Sequence, residues 1–280
     1  MSIARLFCKS EKSIDFRPDL LYNILVELFY SLEAFMKKIL CIFLALLLAV
    51  SFAACSKKKD AEDDLSKYLQ DEEVVEKVKL ENGDLFYIDT VDTTTVIVTG
   101  YEGSQELHAL TIPETLAGKR VIGIGDEAFY YCNTITSVAI PESVTSIGSY
   151  AFAGCSFLAS LDLPSTVRTL GVGAFYGCER LASVVFEPGY SLGLSLAEIP
   201  EACFYDCTAL TEVTVPSHIE AVGKAAFFGC SNLATLVVEE GVLEIRAQAF
   251  QNLSKLTSVT LPDGITCDPL AFAGTPWGEK

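Results

Sequence analysis

The amino-acid sequence predicts a repeat solenoid, mainly β, built from stacked coils of about 23 residues. Three observations lead to this prediction: a recurring phenylalanine, a set of apolar residues at constant offsets from it, and glycine and proline at fixed places between them. The phenylalanines are spaced by 23, 23, 29, 23, 23 and 22 residues, and they are Phe129, Phe152, Phe175, Phe204, Phe227, Phe250 and Phe272. Such a period is typical of arrays in which each coil packs against its neighbours.

Within one coil, the pattern predicts a strand followed by short non-strand turns. Leu158, Leu161 and Leu163 alternate like a strand with one buried face, and Pro164 ends it because proline has no amide donor. The apolar set of this coil is Val144, Ile147, Ala151, Phe152, Cys155, Leu158, Leu161 and Leu163. One coil cannot bury so many side chains alone, whereas coils stacked about 4.8 Å apart form a continuous core.

The repeated motif I-G-x-x-A-F-x-x-C-x-x-L-x-x-V-x-I-P resembles the BspA-like leucine-rich repeats of bacterial surface proteins, over residues 84–275. The resemblance implies a solenoid over residues 121–280 with a closing cap at its end, and an opening cap over residues 81–120. It also implies a protein that binds a ligand at the cell surface, as BspA-like proteins are thought to do in adhesion.

The amino-terminal residues are typical of a signal peptide. Met36 and two lysines precede an apolar run from Ile39 to Ala54, which is shorter than the roughly 20 residues of a membrane-spanning helix. Small residues then lead into Cys55, which resembles the lipobox of bacterial lipoproteins. The resemblance implies that residues 36–54 are removed and that Cys55 carries acyl chains, which anchor stably when there are two or more. A retained membrane helix or a core helix is the alternative.

Two segments flank this signal. We interpret residues 1–35 as an upstream extension outside the translated protein, with Met36 as the true start, although residues 20–35 have the pattern of an amphipathic helix. Residues 55–80 are rich in lysine and acidic residues, which predicts a charged tether. The pattern of residues 65–80 fits a helix or a strand.

Charge and composition argue against several kinds of site. The formal net charge of -17 repels phosphate backbones, so we expect no nucleic-acid partner. Seven cysteines fall in the repeat register, where Leu253 also occurs, so we interpret them as inert core residues. Disulfides between stacked neighbours are the alternative. The sequence contains no C-x-x-C or H-x-x-x-H spacing, and we expect no metal and no cofactor.

The two histidines carry no sign of catalysis. Neither His108 nor His218 recurs from coil to coil, and we expect each to be solvated or partnered locally. General acid-base or nucleophilic chemistry needs groups with tuned pKa values held together in a pocket. We therefore expect a protein that is not an enzyme.

Three surfaces are candidates for ligand binding. The first is the outward face of the strand row, represented by Asp162, Glu212 and Thr214, although small residues there are also good strand formers. The second is an incomplete aromatic row after each Ala-Phe pair, including Tyr176 and Tyr205, which can equally serve packing between coils. The third is the insertion that lengthens one spacing to 29 residues, with Tyr190, Leu192 and Leu194, or else a tolerated neutral loop.

The combined expectation is a non-enzymatic, lipid-anchored binding module of the bacterial cell envelope, in the outer membrane or at the cell surface. Its partners would be the membrane, through acyl chains on Cys55, and a protein or glycan ligand. The alternative is a structural spacer or a subunit of a cell-envelope complex.

Overall fold

The structure is a computed structural model that describes residues 76–186 and 196–278. These residues form strands and turns. The strands are β1 (Glu76–Lys79), β2 (Leu85–Thr90), β3 (Thr95–Glu102), β4 (His108–Thr111), β5 (Thr115–Leu116), β6 (Lys119–Ile124), β7 (Ile135–Ala139), β8 (Ser146–Ile147), β9 (Ser160–Leu163), β10 (Thr169–Leu170), β11 (Ser183–Phe186), β12 (Glu198–Ile199), β13 (Glu212–Val215), β14 (Ala221–Val222), β15 (Thr235–Val238), β16 (Glu244–Ile245), β17 (Ser258–Thr260) and β18 (Thr266–Cys267). Within the described ranges, no helix is long and apolar enough to cross a membrane.

Each coil has three sides, and most sides are joined to the next coil by backbone hydrogen bonds. The first side is a row of parallel strands that includes β7, β9 and β11, and then β13, β15 and β17. The second is a row of shorter strands that includes β6, β8 and β10, and then β12, β14, β16 and β18. The third is made of turns around the Ala-Phe pair, where the Phe152 amide donates to the Ala174 carbonyl at 2.8 Å. The protein is therefore a mainly β solenoid of about seven turns of roughly 23 residues, as predicted.

The predicted apolar set fills the interior. All eight residues of the second coil are between 0 and 2 % exposed. The repeating phenylalanines stack in one column, with Phe129 and Phe152 separated by 4.8 Å between ring centroids and Phe250 and Phe272 by 5.3 Å. Such contacts add to the burial of each ring, so the column links every coil to both of its neighbours.

A glycine recurs after the short strand of the second side because a side chain there would clash with the previous coil. A Cβ atom on Gly148 would lie 2.5 Å from the backbone nitrogen of Asp126, and one on Gly171 would lie 2.2 Å from that of Ser149. Gly223 meets the backbone of Pro200 in the same way. These positions lack a side chain because the previous coil's backbone occupies the space. Gly125, which begins this series, thus follows the repeat and does not mark a phosphate loop.

The third side uses left-handed backbone at two places in most coils, which the apolar pattern does not predict. Two residues before the phenylalanine, the φ angle is +54° at Tyr150, +54° at Ala202 and +53° at Ala225. Two residues after it, the φ angle is again positive, and the residue is often glycine, as at Gly154 (+72°) and Gly229 (+74°). These reversals let alternate amides donate to the following coil, for example from Ala202 to the Lys224 carbonyl at 2.9 Å.

The opening cap is a sheet that continues into the repeat. Strands β1, β2 and β3 pair antiparallel in that order, β3 is parallel to β6, and β4 is parallel to β7. Tyr101 ends the phenylalanine column, 5.4 Å from Phe129. It lies nine residues before Leu110, just as Phe152 lies nine residues before Leu161. The cap is thus an atypical coil that precedes the first regular one, and its strand β1 covers residues that the sequence analysis assigned to the tether.

The closing end covers the last ring. Trp277 packs on Phe272 at 4.7 Å between ring centroids. The hydroxyl of the fully buried Thr275 donates to the Phe272 carbonyl at 2.8 Å. The aromatic column therefore continues from the tyrosine of the opening cap to the tryptophan of the closing segment.

The 29-residue spacing interrupts two of the three sides. In the described residues, no strand pairing joins β11 to β13 or β10 to β12, so both strand rows divide there. The third side continues without a break, since the Phe175 amide donates to the Cys203 carbonyl at 2.9 Å. The extra residues lie in the sequence between β11 of the first strand row and β12 of the second.

Candidate functional site

Two of the three predicted surfaces fall within the described residues. The strand face comprises the outward side chains of the first strand row. The turn face comprises the exposed or half-buried aromatic residues around the Ala-Phe turns: Tyr130, Tyr131, Tyr150, Tyr176, Tyr205 and Phe228. The insertion follows β11 in the sequence and lies outside the described residues. Among the described residues, the predicted ligand residues of the strand face and of the turn face lie on different sides of the coil.

The strand face is exposed but uneven. Asp162 in β9 and both Glu212 and Thr214 in β13 point outward between buried neighbours. The strand row is interrupted between these two strands, so the three residues do not share a continuous sheet. This face presents mainly polar side chains, together with the exposed Val185.

The turn face is a stack of aromatic rings. Tyr176 and Tyr205 are parallel at 4.8 Å between centroids, and Tyr205 and Phe228 are parallel at 4.7 Å. Tyr176 is 38 % exposed, so part of its ring faces solvent. The same row of rings therefore packs one coil against the next and leaves part of its surface open to a ligand.

Sequence reasoning missed two tyrosines of this face. Tyr131 and Tyr150 occupy the left-handed positions of the turns, and they are 58 % and 39 % exposed. Glycines of the next coil make room for them: a Cβ on Gly154 would lie 2.9 Å from the Tyr131 ring, and one on Gly173 would lie 2.5 Å from the Tyr150 ring. The pairing of a tyrosine with a glycine one period later is the sequence signal that marks this contact.

Three tyrosine hydroxyls of the turn face have a raised pKa. Partial burial raises the pKa of Tyr130, Tyr176 and Tyr205, and neighbouring tyrosines or Asp206 raise it further. Burial also raises the pKa of Asp206, helped by the charge of Glu179. The turn face therefore presents aromatic rings and uncharged hydroxyls, a surface suited to stacking and hydrogen bonding.

The predicted insertion residues Tyr190, Leu192 and Leu194 lie outside the described residues, as does Cys55. The base of the insertion is described: Phe186 and Leu196 are buried and contact a small cavity that His218 also lines. Burial lowers the pKa of His218, against the opposing charge of Glu239. The imidazole thus packs at this corner as a largely neutral ring.

The repeating cysteines are core residues with a donor role. The thiol of Cys155 donates to the Phe129 carbonyl at 3.1 Å, and the same bond joins Cys178 to Phe152, Cys207 to Phe175 and Cys230 to Phe204. The seven cysteines of the described residues are free thiols. Burial raises the pKa of Cys155, Cys203, Cys207 and Cys230, which disfavours the nucleophilic thiolate.

His108 and Arg246 are partnered locally. Both ring nitrogens of His108 are engaged, with Nε2 at 3.0 Å from the Tyr101 hydroxyl and Nδ1 at 2.9 Å from the Glu106 carbonyl oxygen. Arg246 is paired with Glu198 and Glu244 on the second strand row. The described part of the chain contains no group of three or more His, Cys, Asp or Glu residues that could hold a metal ion.

Comparison with known proteins agrees with this architecture. The family described as BspA type leucine rich repeat region matches residues 94–196 and 189–276, with six copies of the repeat. A solved structure of the Treponema pallidum leucine rich repeat protein is 31 % identical, with a TM-score of 0.62, over 69 % of this chain and 87 % of that one. A leucine-rich repeat protein from Eubacterium ventriosum is 24 % identical with a TM-score of 0.59, over 71 % of this chain and 50 % of that one.

The fold and its exposed side chains define a leucine-rich-repeat solenoid, a class of proteins that act by binding at surfaces. The chain belongs to the BspA-type leucine-rich-repeat family. No curated protein matches it.

Proposed function

We propose that the protein is a non-enzymatic binding module, anchored by lipid in the bacterial cell envelope, that contacts a protein or glycan ligand through the turn face. The observation that carries this proposal is the surface stack of Tyr176, which is exposed, with the half-buried Tyr205 and Phe228. Aromatic side chains are the residues that most often dominate binding energy at protein surfaces. They also lose little conformational freedom when a ligand covers them.

The geometry of the solenoid favours the turn face over the other two surfaces. Its backbone ladder continues past the insertion, whereas both strand rows divide there. A continuous and rigid surface lowers the entropy that binding must overcome. The turn face therefore offers the longest preorganised row of large side chains among the described residues.

Lipid anchoring is supported by the sequence around Cys55, where an apolar run ends in small residues before the cysteine. Anchoring by two or more acyl chains would hold the binding module stably at a membrane surface. We expect metabolic labelling with palmitate to modify the native protein. We expect Cys55→Ala to remain unlabelled and to leave the membrane fraction. Labelling of this variant at the native level would contradict the lipid anchor.

The binding proposal is tested by capture experiments with the full-length protein in detergent. Native protein is offered host matrix proteins, glycan arrays and an extract of the producing cell's own envelope. The same materials are offered to the double variant Tyr176→Ala, Tyr205→Ala. We expect a saturable external ligand whose affinity falls at least about thirtyfold in the double variant, as for a loss of central aromatic contacts. Saturable binding to envelope components alone would instead support a structural spacer or complex subunit.

A further inference from the structure

A cleft of about 650 Å³ lies where the opening cap meets the first coil. Three segments form its walls: the β1–β2 turn with its flanking residues, the end of β3 with the loop after it, and residues 131–134, which follow Phe129. Its lining side chains include Lys79, Tyr101, Glu102, Gln105, Tyr131 and Asn133. This volume falls within the range of about 300 to 1,000 Å³ found for small-molecule sites. The cleft lies beside the cap, a part of the described chain that departs from the regular repeat.

The floor of the cleft is held by a network of hydrogen bonds. The Tyr101 hydroxyl lies 2.7 Å from a carboxylate oxygen of Asp84 and 3.0 Å from Nε2 of His108. Asp84 is only 8 % exposed and also accepts from the Asn82 amide at 2.7 Å. A Cβ on Gly103 would lie 1.8 Å from the Tyr101 hydroxyl, so glycine is needed there. The floor is therefore preorganised, which reduces the ordering cost of binding.

One wall of the cleft is an exposed aromatic ring. Tyr131 lies against Gly154 of the next coil, and it also lines the cleft. Several other coils have glycine at the position of Tyr131, as at Gly154, Gly177 and Gly229. The aromatic ring at this position is therefore specific to the first coil. An aromatic ring fixed in this way offers a platform for the apolar face of a flat ligand.

The rest of the lining is polar and nearly balanced in charge. Ser104, Gln105 and Thr134 supply hydroxyl and amide groups, with one amine from Lys79 and one carboxylate from Glu102. The side-chain oxygen Oδ1 of Asn133 accepts from the Ser156 hydroxyl at 2.9 Å and from the Ser156 backbone amide at 3.2 Å. These bonds fix the Asn133 side chain, whose NH₂ group carries two further donors. Such a lining suits a neutral ligand with many hydroxyls, whereas the protein's charge of -17 disfavours an anion.

We propose that this cleft binds a neutral pyranose, with one face of the sugar ring stacked on Tyr131 and its hydroxyls bonded to Asn133 and Glu102. The pyranose ring combines an apolar face with a polar rim, which matches one aromatic wall facing hydroxyl, amide and carboxylate groups. The site differs from the stack of Tyr176, Tyr205 and Phe228, and it extends the proposed function by naming a ligand class at a second place.

The test is ligand-observed NMR by saturation transfer, with the full-length protein in a detergent that has no sugar headgroup. The probes are the methyl glycosides of glucose, galactose, mannose and N-acetylglucosamine, with sialic acid and inorganic phosphate as charged comparisons. We expect transfer to at least one neutral glycoside, with binding weakened at least about tenfold in Tyr131→Gly and in Asn133→Ser, as for the loss of one aromatic or polar contact. These replacements are the residues found at the same positions of the second coil, so the backbone is preserved.

The variant Tyr176→Ala, Tyr205→Ala serves as the matched control. We expect it to keep the sugar signal, even where it loses the ligand of the turn face, so the two proposals can fail separately. Transfer to none of the neutral glycosides would overturn the sugar site. A preference for sialic acid or phosphate would also overturn it. So would binding of a neutral glycoside that both cleft variants retain at native strength.

Discussion

At the scale of single residues, the phenylalanine of each coil carries the core. Phe175 is fully buried and stacks on Phe152 at 5.4 Å and on Phe204 at 5.5 Å. We expect Phe175→Ala to lower the free energy of unfolding by about 3 to 5 kcal/mol, because it removes buried surface and leaves a cavity. Chemical denaturation measures this value. A cost below about 0.5 kcal/mol, typical of an exposed position, would contradict the register.

The buried thiols predict how stability depends on pH. Burial raises the pKa of Cys155, Cys203, Cys207 and Cys230 above the ordinary thiol value of 9.0, and that of Cys132 to about 11. The unfolded chain therefore loses these protons at a lower pH than the folded chain does. Stability from the buried thiols is complete below pH 9 and falls above it, by about 1.4 kcal/mol per pH unit for each fully buried thiol.

Denaturant titrations between pH 8 and pH 10.5 measure this loss, and Cys203→Ala is the matched control. Alanine occupies the equivalent position in the neighbouring coils, at Ala174 and Ala226, so the fold tolerates it. We expect the variant to lose stability less steeply with rising pH than the native chain. Equal slopes for the two proteins would show that Cys203 does not stay protonated in the folded state.

At the scale of the element, the turns of the third side bear local backbone strain. Ala202 has a φ angle of +54° while its amide donates to the Lys224 carbonyl, and the third coil has Gly173 at the same place. Left-handed backbone costs a residue with a Cβ about 1 to 2 kcal/mol. We expect Ala202→Gly to raise the free energy of unfolding by about 0.5 to 1 kcal/mol, after the larger entropy of glycine in the unfolded chain is subtracted.

The control for this substitution is Ala226→Gly, at a buried position of the next coil that lacks a positive φ angle. It should destabilise the protein, because no strain is relieved and buried surface is lost. Thermal or chemical unfolding compares the two. If both variants lose stability to the same degree, the left-handed turn at Ala202 is not strained.

At the scale of the whole molecule, the solenoid has one weak junction. Between the third and fourth coils, the turn side keeps its hydrogen bonds, while pairing of both strand rows is absent among the described residues. In repeat proteins, the coupling between coils depends on each local interface. We expect native-state hydrogen exchange to show two groups of protected amides with different opening free energies, one on each side of this junction.

Shortening the insertion tests the cause of the weak junction. Replacing residues 187–195 with Pro-Ser-Thr, which follow the strand in the second coil, restores the regular spacing. We expect the two groups of amides to merge into one in this variant. A single opening free energy across the native chain would show that the junction is as strong as the others.

Periodicity in the sequence predicted the parts of the fold that repeat. The offsets around Phe152 identified the core, and the glycine and proline positions identified the turns and strand ends, because each coil meets the same constraints. The coil around Tyr101 was assigned to a cap, since tyrosine replaces phenylalanine there and lies 28 residues before Phe129. Tyr131 and Tyr150 were missed because left-handed turns, which apolar patterns do not encode, bring them onto the face of Tyr176.

The central claim is that the turn face, and not the strand face or the insertion, contacts the ligand. The most direct measurement compares the affinity of the captured ligand for three full-length variants. One is Tyr176→Ala, Tyr205→Ala, another is Asp162→Ala, Thr214→Ala, and the third has the shortened insertion. We predict a loss of at least about thirtyfold for the first and less than about threefold for the others. Native affinity in the tyrosine variant, with loss in either of the others, would contradict the claim.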